Sequence, residues 1–400
     1  MKQTIKKGTA VKKFNLDALK AELGYTTKKG DLTNSSADKP MNFIPMPKAF
    51  SEALKLPGFP MGYMSIITGW SNTGKSTLIN CLIASCINNN ILPVIYDTEN
   101  NFDFSYAIDC GMKAIPIYED VEVEDVDEET GEIIGTRTEK QIVDWTGDFM
   151  YYDSTKLANT YGANDYTSGK QTAKKRTTPV IEDIAYSINE ILDKQEEGKI
   201  PMPICFIWDS VGSIISHKSL ASKVGNNMFD AGALSSSFTN ILNNRIPSSR
   251  KVSSDFTNTF VCVNKIWNDS MNSTMGLPSI ELKGGKSFFY AARLIIHLGG
   301  VSKASIKKLN ATVKGQTYNY GNISKIKVNK NQLPTPYNIT YEGEIACVHN
   351  GLCSPDDIDE YKKTYMKDIL KRLEDLSDGK ITESDESNVA FSEEESAEIF

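Results

Sequence analysis

Short apolar runs alternate with stretches of helical periodicity through the middle of the chain. Five of these runs are mostly β-branched or aromatic and have the length of strands: 63–68, 92–96, 204–208, 259–263 and 294–298. Continuous apolar runs of this length are typical of strands that are buried on both faces. The alternation between about residues 46 and 345 therefore predicts an α/β core, in which helices cover a mostly parallel central sheet.

The segments that flank this core are more polar. Residues 1–45 are basic, with a helical pattern at 16–23, and we expect an N-terminal arm with a role in oligomerisation. Residues 346–373 predict a short helical C-terminal region. Residues 374–400 are acidic and rich in serine, too polar to bury a core, so a disordered tail is expected.

One segment inside the core breaks the alternation. Residues 119–178 contain an acidic block, a sequence typical of a hairpin tip at 128–132 and a polar, basic stretch at 170–176. We expect this segment to be a single inserted excursion on the surface. Its composition does not indicate what it contacts.

The composition is that of an ordinary globular protein, with 40% hydrophobic and 24% charged residues. No apolar run approaches the length of a membrane helix, and no apolar segment follows the basic start, so a cytoplasmic location is expected. The seven cysteines have no paired spacing and there are three histidines. This pattern argues against a zinc site, a disulfide framework and histidine-based acid–base chemistry.

Charge is unevenly distributed. The net charge is −7, but residues 374–400 alone carry ten acids and a single lysine, a net of −9. Subtracting this tail leaves residues 1–373 at about +2. The overall negative charge is therefore compatible with a partner as acidic as DNA.

Residues 69–76 form the most specific motif in the chain. They read Gly-Trp-Ser-Asn-Thr-Gly-Lys-Ser and lie between the 63–68 strand and a helical pattern. Glycines at two of these positions let backbone N–H groups approach phosphates closely, and a helix N-terminus adds a favourable dipole. In such a motif the lysine reaches the β- and γ-phosphates and the hydroxyl after it binds Mg²⁺. The sequence therefore predicts ATP and Mg²⁺ as cofactors, with ATP bound by Gly69, Trp70, Ser71, Asn72, Thr73, Gly74, Lys75, Ser76 and Thr77, and Mg²⁺ by Ser76.

Two carboxylates follow other predicted strands. Asp209 ends the 204–208 strand and is expected to hold Mg²⁺ through water. Glu99 follows the 92–96 strand, which we expect to neighbour the 63–68 strand, and is placed to activate the attacking water. The alternative for Glu99 is a solvated acid at a strand end.

Taken in order, these motifs resemble the RecA recombinase family. The resemblance covers about residues 46–345 and rests on the segments 58–62, 69–76, 97–106, 208–211, 263–264, 284–285, 289–290 and 328–330. The chain departs from the bacterial pattern in places where phage-encoded, UvsX-like members also do. The resemblance implies an ATP-dependent recombinase that forms helical filaments on single-stranded DNA and promotes homologous pairing and strand exchange.

The resemblance also implies roles at the ATP site. Glu99 would be the catalytic carboxylate, acting with Lys75 and with Lys265. Asp103 and Tyr106 match positions that hold adenine, the tyrosine by stacking. A further cofactor contact would come across the subunit interface, from Lys330 to the neighbour's ATP, with Lys327 as a second cation nearby.

Two loops would bind DNA in a protein of this family. The first would span 223–229, with Lys223 and an apolar wedge at Phe229. The second would span 267–283, where no periodicity is evident, and would be closed by Gly284 and Gly285; it would supply Met271, Met275 and Lys283, together with those two glycines. Such loops hold single strands through backbone groups and apolar side chains. Implied partners are single- and double-stranded DNA, further copies of the chain, and a single-strand-binding protein or loader.

The chain departs from the bacterial pattern at three places. Lys265 occupies the position of the glutamine that senses the γ-phosphate; a cation there could also stabilise transition-state charge. Leu234 and Ile241 stand where the family usually has arginines that contact DNA. After Glu344 only about 30 residues precede the acidic tail, so the C-terminal region that gathers duplex DNA is expected to be short.

Two other functions remain open on sequence grounds. A hexameric replicative helicase shares the core, but it normally has a larger N-terminal domain and an arginine finger. A mediator that uses ATP as a switch, without strand exchange, belongs to a different class. The shape formed on single-stranded DNA distinguishes a filament, a ring and a small particle.

Overall fold

The computed structural model describes residues 15–23, 35–126, 133–222, 227–269, 279–282, 285–300 and 306–377. Its α-helices are α1 (Leu16–Glu22), α2 (Lys48–Leu54), α3 (Lys75–Asn88), α4 (Phe104–Asp109), α5 (Ser154–Tyr161), α6 (Ile181–Glu196), α7 (His217–Ser222), α8 (Asn227–Asn240), α9 (Ile246–Ser248), α10 (Gly285–Ala291) and α11 (Ile358–Ser377). A π-helical turn, Ile241–Arg245, joins α8 to α9, and a 3-10 turn, Pro355–Asp357, precedes α11.

The strands include the five predicted ones; the strand predicted at 63–68 is shifted by one residue, and the other four are longer than predicted. They are β1 (Phe43–Pro45), β2 (Gly58–Pro60), β3 (Met64–Gly69), β4 (Leu92–Asp97), β5 (Ile115–Val126), β6 (Ile133–Thr146), β7 (Met150–Asp153), β8 (Asn164–Asp165), β9 (Lys170–Gln171), β10 (Ile204–Val211), β11 (Thr259–Asp269), β12 (Ser279–Leu282), β13 (Ala292–Leu298), β14 (Ile306–Val313), β15 (Gln316–Asn331), β16 (Glu342–Val348) and β17 (Gly351–Cys353).

Most of these strands belong to one central sheet. Its strand order is β17-β16-β15-β13-β3-β11-β10-β4-β7, with β14 paired to β15 and β12 paired to β11. The neighbours from β13 to β7 are parallel, and the pairs beyond β13 are antiparallel. The prediction of an α/β protein with a large, mostly parallel central sheet is confirmed.

Both faces of the central sheet are buried. Strand β10 illustrates this, because its alternate side chains pack into two different core layers. Cys205 and Ile207 face one core layer, which includes helix α3. Phe206 and Trp208 alternate with them and face the other layer, which is built on α6 and α8. Successive side chains of a strand point to opposite faces, so a strand between two layers of helices needs an apolar residue at nearly every position.

The 119–178 segment is not one excursion. β5 and β6 form a long two-stranded hairpin, whose pairing runs from Ile115 opposite Thr146 to Val126 opposite Ile133. The predicted tip, residues 128–132, lies outside the described residues. The chain then returns to the core, because β7 pairs in parallel with β4 and forms an edge of the central sheet. A second, smaller hairpin follows, made by β8 and β9. Two surface hairpins therefore flank one strand and one helix of the core.

The ends of the core also differ from the predicted boundaries. β1 lies within the predicted arm yet pairs with β2, and β16 crosses the predicted boundary at residue 345 to continue the sheet. Helix α1 corresponds to the predicted helical stretch, and α11 extends to Ser377. The rest of the acidic tail lies outside the described residues. Within the described residues, no helix is long and apolar enough to cross a membrane.

Candidate functional site

Loop 69–76 connects β3 directly to α3, at the carboxyl edge of the parallel strands. Helix α3 starts at Lys75, and the residue before it, Gly74, has φ of +94°. Asn72 is also left-handed, with φ of +62°. The first N–H groups of a helix have no partner within the helix, so the start of α3 provides donors and a partial positive charge at this edge.

Both glycines are required by packing inside the protein. A Cβ on Gly74 would lie 2.1 Å from the Sγ of Cys347 on β16, and one on Gly69 would lie 2.4 Å from the carbonyl oxygen of Leu298 on β13. The loop therefore sits directly on its neighbouring strands. The two glycines were expected to let a phosphate approach the backbone closely. In the structure, protein atoms of Leu298 and Cys347 occupy the space next to their Cα atoms.

Polar contacts hold the loop in shape. The Nζ of Lys75 donates to the carbonyl oxygen of Trp70 at 2.7 Å, and the hydroxyl of Thr73 donates to the same oxygen at 2.8 Å. The indole Nε1 of Trp70 donates to the carbonyl oxygen of Gly300 at 3.0 Å. Ser71, Asn72 and Ser76 are exposed on the outer side of the loop.

The Glu99 loop is built on a neighbouring carboxylate. Asp97, the last residue of β4, is buried and accepts hydrogen bonds from the backbone N–H groups of Glu99 (3.2 Å), Asn101 (3.3 Å) and Phe102 (2.9 Å). The hydroxyl of Tyr151 on β7 donates to the same carboxylate at 3.1 Å. Buried polar groups need such partners, and here they fix the backbone that carries Glu99. Asp97 is a positioning residue that sequence reasoning missed.

The Glu99 carboxylate reaches across to β10. Its Oε1 accepts a hydrogen bond from the hydroxyl of Ser210, which directly follows Asp209. Asp209 is paired in register with Asp97, so the two aspartates end adjacent strands at one edge of the sheet. The N–H of Thr98 donates to the carbonyl oxygen of Asp209 at 2.9 Å. The structure thus places Glu99 and Asp209 on neighbouring strands of one sheet edge, joined through Ser210 and the backbone of Thr98.

The strand carrying Glu99 does not neighbour the strand carrying loop 69–76. β11 and β10 lie between β3 and β4, so the expected adjacency was wrong. The connection is made by helices instead. The hydroxyls of Tyr106 on α4 and Thr77 on α3 lie 2.5 Å apart, and Tyr106 also donates to the carbonyl oxygen of Val348 at 3.3 Å. Because α4 begins just after the Glu99 loop, this contact ties the two loops to each other.

The two residues predicted to hold adenine have structural contacts of their own. The carboxylate of Asp103 accepts a hydrogen bond from the N–H of Tyr106 at 3.1 Å, as the N-cap of α4. Tyr106 is half-buried against the first turn of α3. The two residues are therefore next to loop 69–76, with the tyrosine ring at its flank.

His297 is a further residue of this edge that the sequence did not reveal. It lies in β13 beside Thr68 of β3, is almost fully buried, and its Nδ1 is 3.0 Å from the Thr68 hydroxyl. Burial lowers the pKa of His297, and the positive charges of Lys327 and then Lys75 lower it further, against a backbone hydrogen bond with Gly300 that raises it. Two lysines thus create positive potential beside loop 69–76.

The lowered pKa of His297 predicts a loss of stability in mild acid. In the unfolded chain the ring takes up a proton as the pH falls through about 6.5, before the folded protein does. The free energy of unfolding should therefore fall between pH 7.5 and 5.5, and His297→Gln should remove part of that slope. Urea unfolding of both proteins at several pH values checks this. Parallel curves for wild type and variant would show that His297 does not contribute.

The second predicted DNA loop starts as a hairpin. β11 continues past the sheet edge and pairs with β12, from Ile266 opposite Leu282 to Asp269 opposite Ser279. The base of this segment is therefore regular, where an irregular loop was expected. The backbone of Lys265 lies beside Gly69 in the register of β11 and β3. The hairpin thus begins one strand away from loop 69–76.

Only part of the predicted DNA-binding set falls in the described residues. Phe229 is half-buried in α8, with the Nζ of Lys218 placed 4.1 Å from its ring centre. Gly285 is the first residue of α10. The others lie outside the described residues: Lys223, Met271, Met275, Lys283 and Gly284. Leu234 and Ile241 are core residues of the layer under α8, which explains why they are apolar.

Lys330 is not brought to loop 69–76 within one subunit. It pairs with Ile295 in the middle of β13, whereas the loop follows the far end of the adjacent strand. Its Nζ donates to the carbonyl oxygen of Phe289 at 2.6 Å and lies 4.6 Å from that ring. The expected contact with a neighbouring subunit's ATP stays a prediction.

The chain matches no protein-family model and no curated protein sequence. In the part of the chain that the structure describes, no three His, Cys, Asp or Glu side chains are grouped so that they could hold a metal ion. The expected Mg²⁺ ligands, Ser76 and Asp209, stay a prediction.

Proposed function

We propose that this protein is a RecA-like, DNA-dependent ATPase that forms filaments on single-stranded DNA and acts as a recombinase. One observation carries the proposal: the carboxyl edge of the sheet combines the N-terminus of α3, Lys75 and Lys327 with Asp209 and with Glu99, whose carboxylate accepts a hydrogen bond from the residue after Asp209. Positive groups on one side and carboxylates on the other fit a triphosphate with Mg²⁺ and an activated water.

The residues at this edge fit ATP. Lys75 donates to a backbone carbonyl, which is a contact that a phosphate oxygen can replace. Burial lowers the pKa of His297, and the charges of Lys327 and Lys75, which would face the phosphates, lower it further. Ser76 and Asp209 would hold Mg²⁺, which when bound neutralises charge on the phosphates. Asp103 and Tyr106 flank the start of α3, where an adenine would lie.

Water activation is assigned to Glu99. Its carboxylate is oriented by the hydrogen bond from Ser210. The backbone that carries it is held by hydrogen bonds to Asp97, so the position of Glu99 is fixed by contacts with the core. Such a carboxylate can accept the proton of the attacking water. Lys75 would stabilise charge that develops on the γ-phosphate during the reaction.

A link to DNA is proposed through β11. This strand lies beside β3 and continues into the hairpin with β12, so one continuous element joins loop 69–76 to the second predicted DNA loop. Lys265 is the residue at the start of that hairpin. DNA held by the hairpin would therefore shift a backbone that lies directly beside Gly69.

This proposal predicts that single-stranded DNA stimulates ATP hydrolysis. The rate should rise when a poly(dT) oligonucleotide is added, and Lys265→Ala should lose the stimulation because the coupling side chain is removed. Steady-state phosphate release, with and without DNA, measures both. A wild-type rate that DNA does not change would contradict the proposal, and an unchanged stimulation ratio in the variant would contradict the role of Lys265.

A further inference from the structure

The hairpin formed by β8 and β9 and the chain that follows it, residues 162–178, are here named the basic segment. It contains Lys170, Lys174, Lys175 and Arg176 against one acid, Asp165. It lies between α5 and α6 and is separate from the acidic β5–β6 hairpin. None of these residues takes part in the ATP chemistry assigned above.

The basic segment is firmly attached to the core by one buried carboxylate. Asp183 on α6 accepts hydrogen bonds from both guanidinium NH groups of Arg176, at 2.8 and 2.9 Å, and from the Tyr166 hydroxyl at 2.7 Å. Its Oδ2 also accepts the N–H of Val180 at 2.8 Å. Arg176 is thus committed to structure, and the segment is held in a defined place.

That place adjoins the start of helix α7, which precedes the first predicted DNA loop in the chain. The N–H of Ile181 donates to the carbonyl oxygen of Ile215 at 3.1 Å, and the N–H of His217 donates to Glu182 at 2.9 Å. The ring of His217 packs edge-on against Tyr166, with ring centres 6.0 Å apart. Helix α7 starts at His217 and leads to position 223, where the first DNA loop is predicted to begin.

Most of the exposed charges on this surface are positive; the exposed Glu190 on α6 accepts a hydrogen bond from the Tyr161 hydroxyl at 3.0 Å. Lys170, Lys174 and Lys175 are exposed, as is Lys218 on α7. The carboxylate of Asp165, the acid within the segment, accepts hydrogen bonds from the N–H of Thr167 and the hydroxyl of Ser168. The carboxylate of Asp165 is therefore already bonded to neighbouring donors, and the lysine ammonium groups are exposed.

A row of aromatic rings packs against the basic segment, where the Arg176 guanidinium lies 5.8 Å from the ring centre of Tyr166. Tyr161, Tyr186, Tyr166 and His217 follow one another with ring centres 5.7, 6.2 and 6.0 Å apart. Tyr186 is 49% exposed. Tyr161 is buried, so Tyr186 is the accessible ring of this row. Lysines near an accessible ring suit single strands, whose bases can stack while the phosphates are neutralised; a duplex presents its phosphates but not its base faces.

We propose that the basic segment is an additional binding surface for single-stranded DNA, which continues the DNA path from the first predicted loop. Lys170, Lys174 and Lys175 contact phosphates there, next to Lys218. This inference rests on the proposed function, because it assumes that the protein binds single strands. It adds a surface that is distinct from both predicted DNA loops.

The test compares two triple variants with equal charge changes. The test variant combines Lys170→Gln, Lys174→Gln and Lys175→Gln. The control variant combines Lys113→Gln, Lys194→Gln and Lys199→Gln. Lys113 and Lys199 are exposed, and the Lys194 side chain is 43% exposed. Lys194 and Lys199 lie at the C-terminal end of α6, opposite the end that holds the basic segment, and Lys113 follows α4. Binding of a fluorescent 30-nucleotide poly(dT) strand and of a duplex of the same length is measured at several salt concentrations.

Loss of three phosphate contacts should lower the slope of log affinity against log salt by about two, since each contact on a single strand contributes roughly 0.7. The control should match wild type, and DNA-free ATP hydrolysis should be the same in all three proteins. Equal slopes in both triple variants, or a loss confined to the duplex, would overturn the inference. Failure of the wild type itself to bind the single strand would instead overturn the proposed function.

Discussion

Lys75→Ala should abolish ATP hydrolysis while leaving the fold intact. The lysine is at the start of α3, and its ammonium contacts the loop's own carbonyl at Trp70, so phosphate oxygens can take over that contact. Removing one group that stabilises developing charge typically lowers the rate by about 10²–10³-fold. Phosphate release should therefore fall to the level of a sample without enzyme.

The fold must be checked separately, since Lys75 also helps to shape loop 69–76. Circular dichroism and the urea midpoint of the variant should stay close to those of wild type, because the side chain is only half-buried. Lys194→Ala, an exposed lysine at the far end of α6, is the matched control and should hydrolyse ATP normally. Hydrolysis by a folded Lys75→Ala protein at a comparable rate would mean that the site is wrongly assigned.

Glu99→Gln should bind ATP normally and hydrolyse it about 10²–10⁴-fold more slowly, which is the usual contribution of a general base. The substitution keeps the shape of the side chain and an acceptor for Ser210, and it leaves the backbone bonds to Asp97 in place. Only the proton-accepting group is lost. On the same reasoning, complexes of the variant with ATP and DNA should last longer than those of wild type.

Separate readouts distinguish binding from chemistry in this variant. A fluorescent ATP analogue should bind wild type and Glu99→Gln with similar affinity, whereas Lys75→Ala should bind it weakly. Glu119→Gln, an exposed glutamate on β5, is the control for loss of one carboxylate. Equal hydrolysis rates in Glu99→Gln and wild type would exclude Glu99 as the base.

The sequence was sufficient to predict the parallel sheet because its strands are buried on both faces. The run 204–208 is apolar at every position and has the length of a strand. This pattern is expected for a strand that lies between two layers of helices. β7 was missed because it is a four-residue edge strand between two hairpins, and its four side chains are only partly buried. The order of the strands was missed because chain order does not determine sheet order.

The candidate site was predicted residue by residue but not as a set of contacts. Asp97 and Glu99 are two acids near one strand end, and only burial separates the anchor from the accessible carboxylate. His297 sits in an apolar run and has no motif, so its place beside Thr68 follows from pairing of β13 with β3. Such long-range pairings are set by the fold and leave no local pattern.

The shape of the complex on DNA tests the central proposal most directly. Electron microscopy of the full chain with circular single-stranded DNA and a slowly hydrolysed ATP analogue should show continuous helical filaments, which form poorly without nucleotide. Closed rings would indicate a hexameric helicase, and small particles a switch without polymerisation. Either result, obtained with protein that binds the nucleotide, would contradict the account of this chain as a filament-forming recombinase.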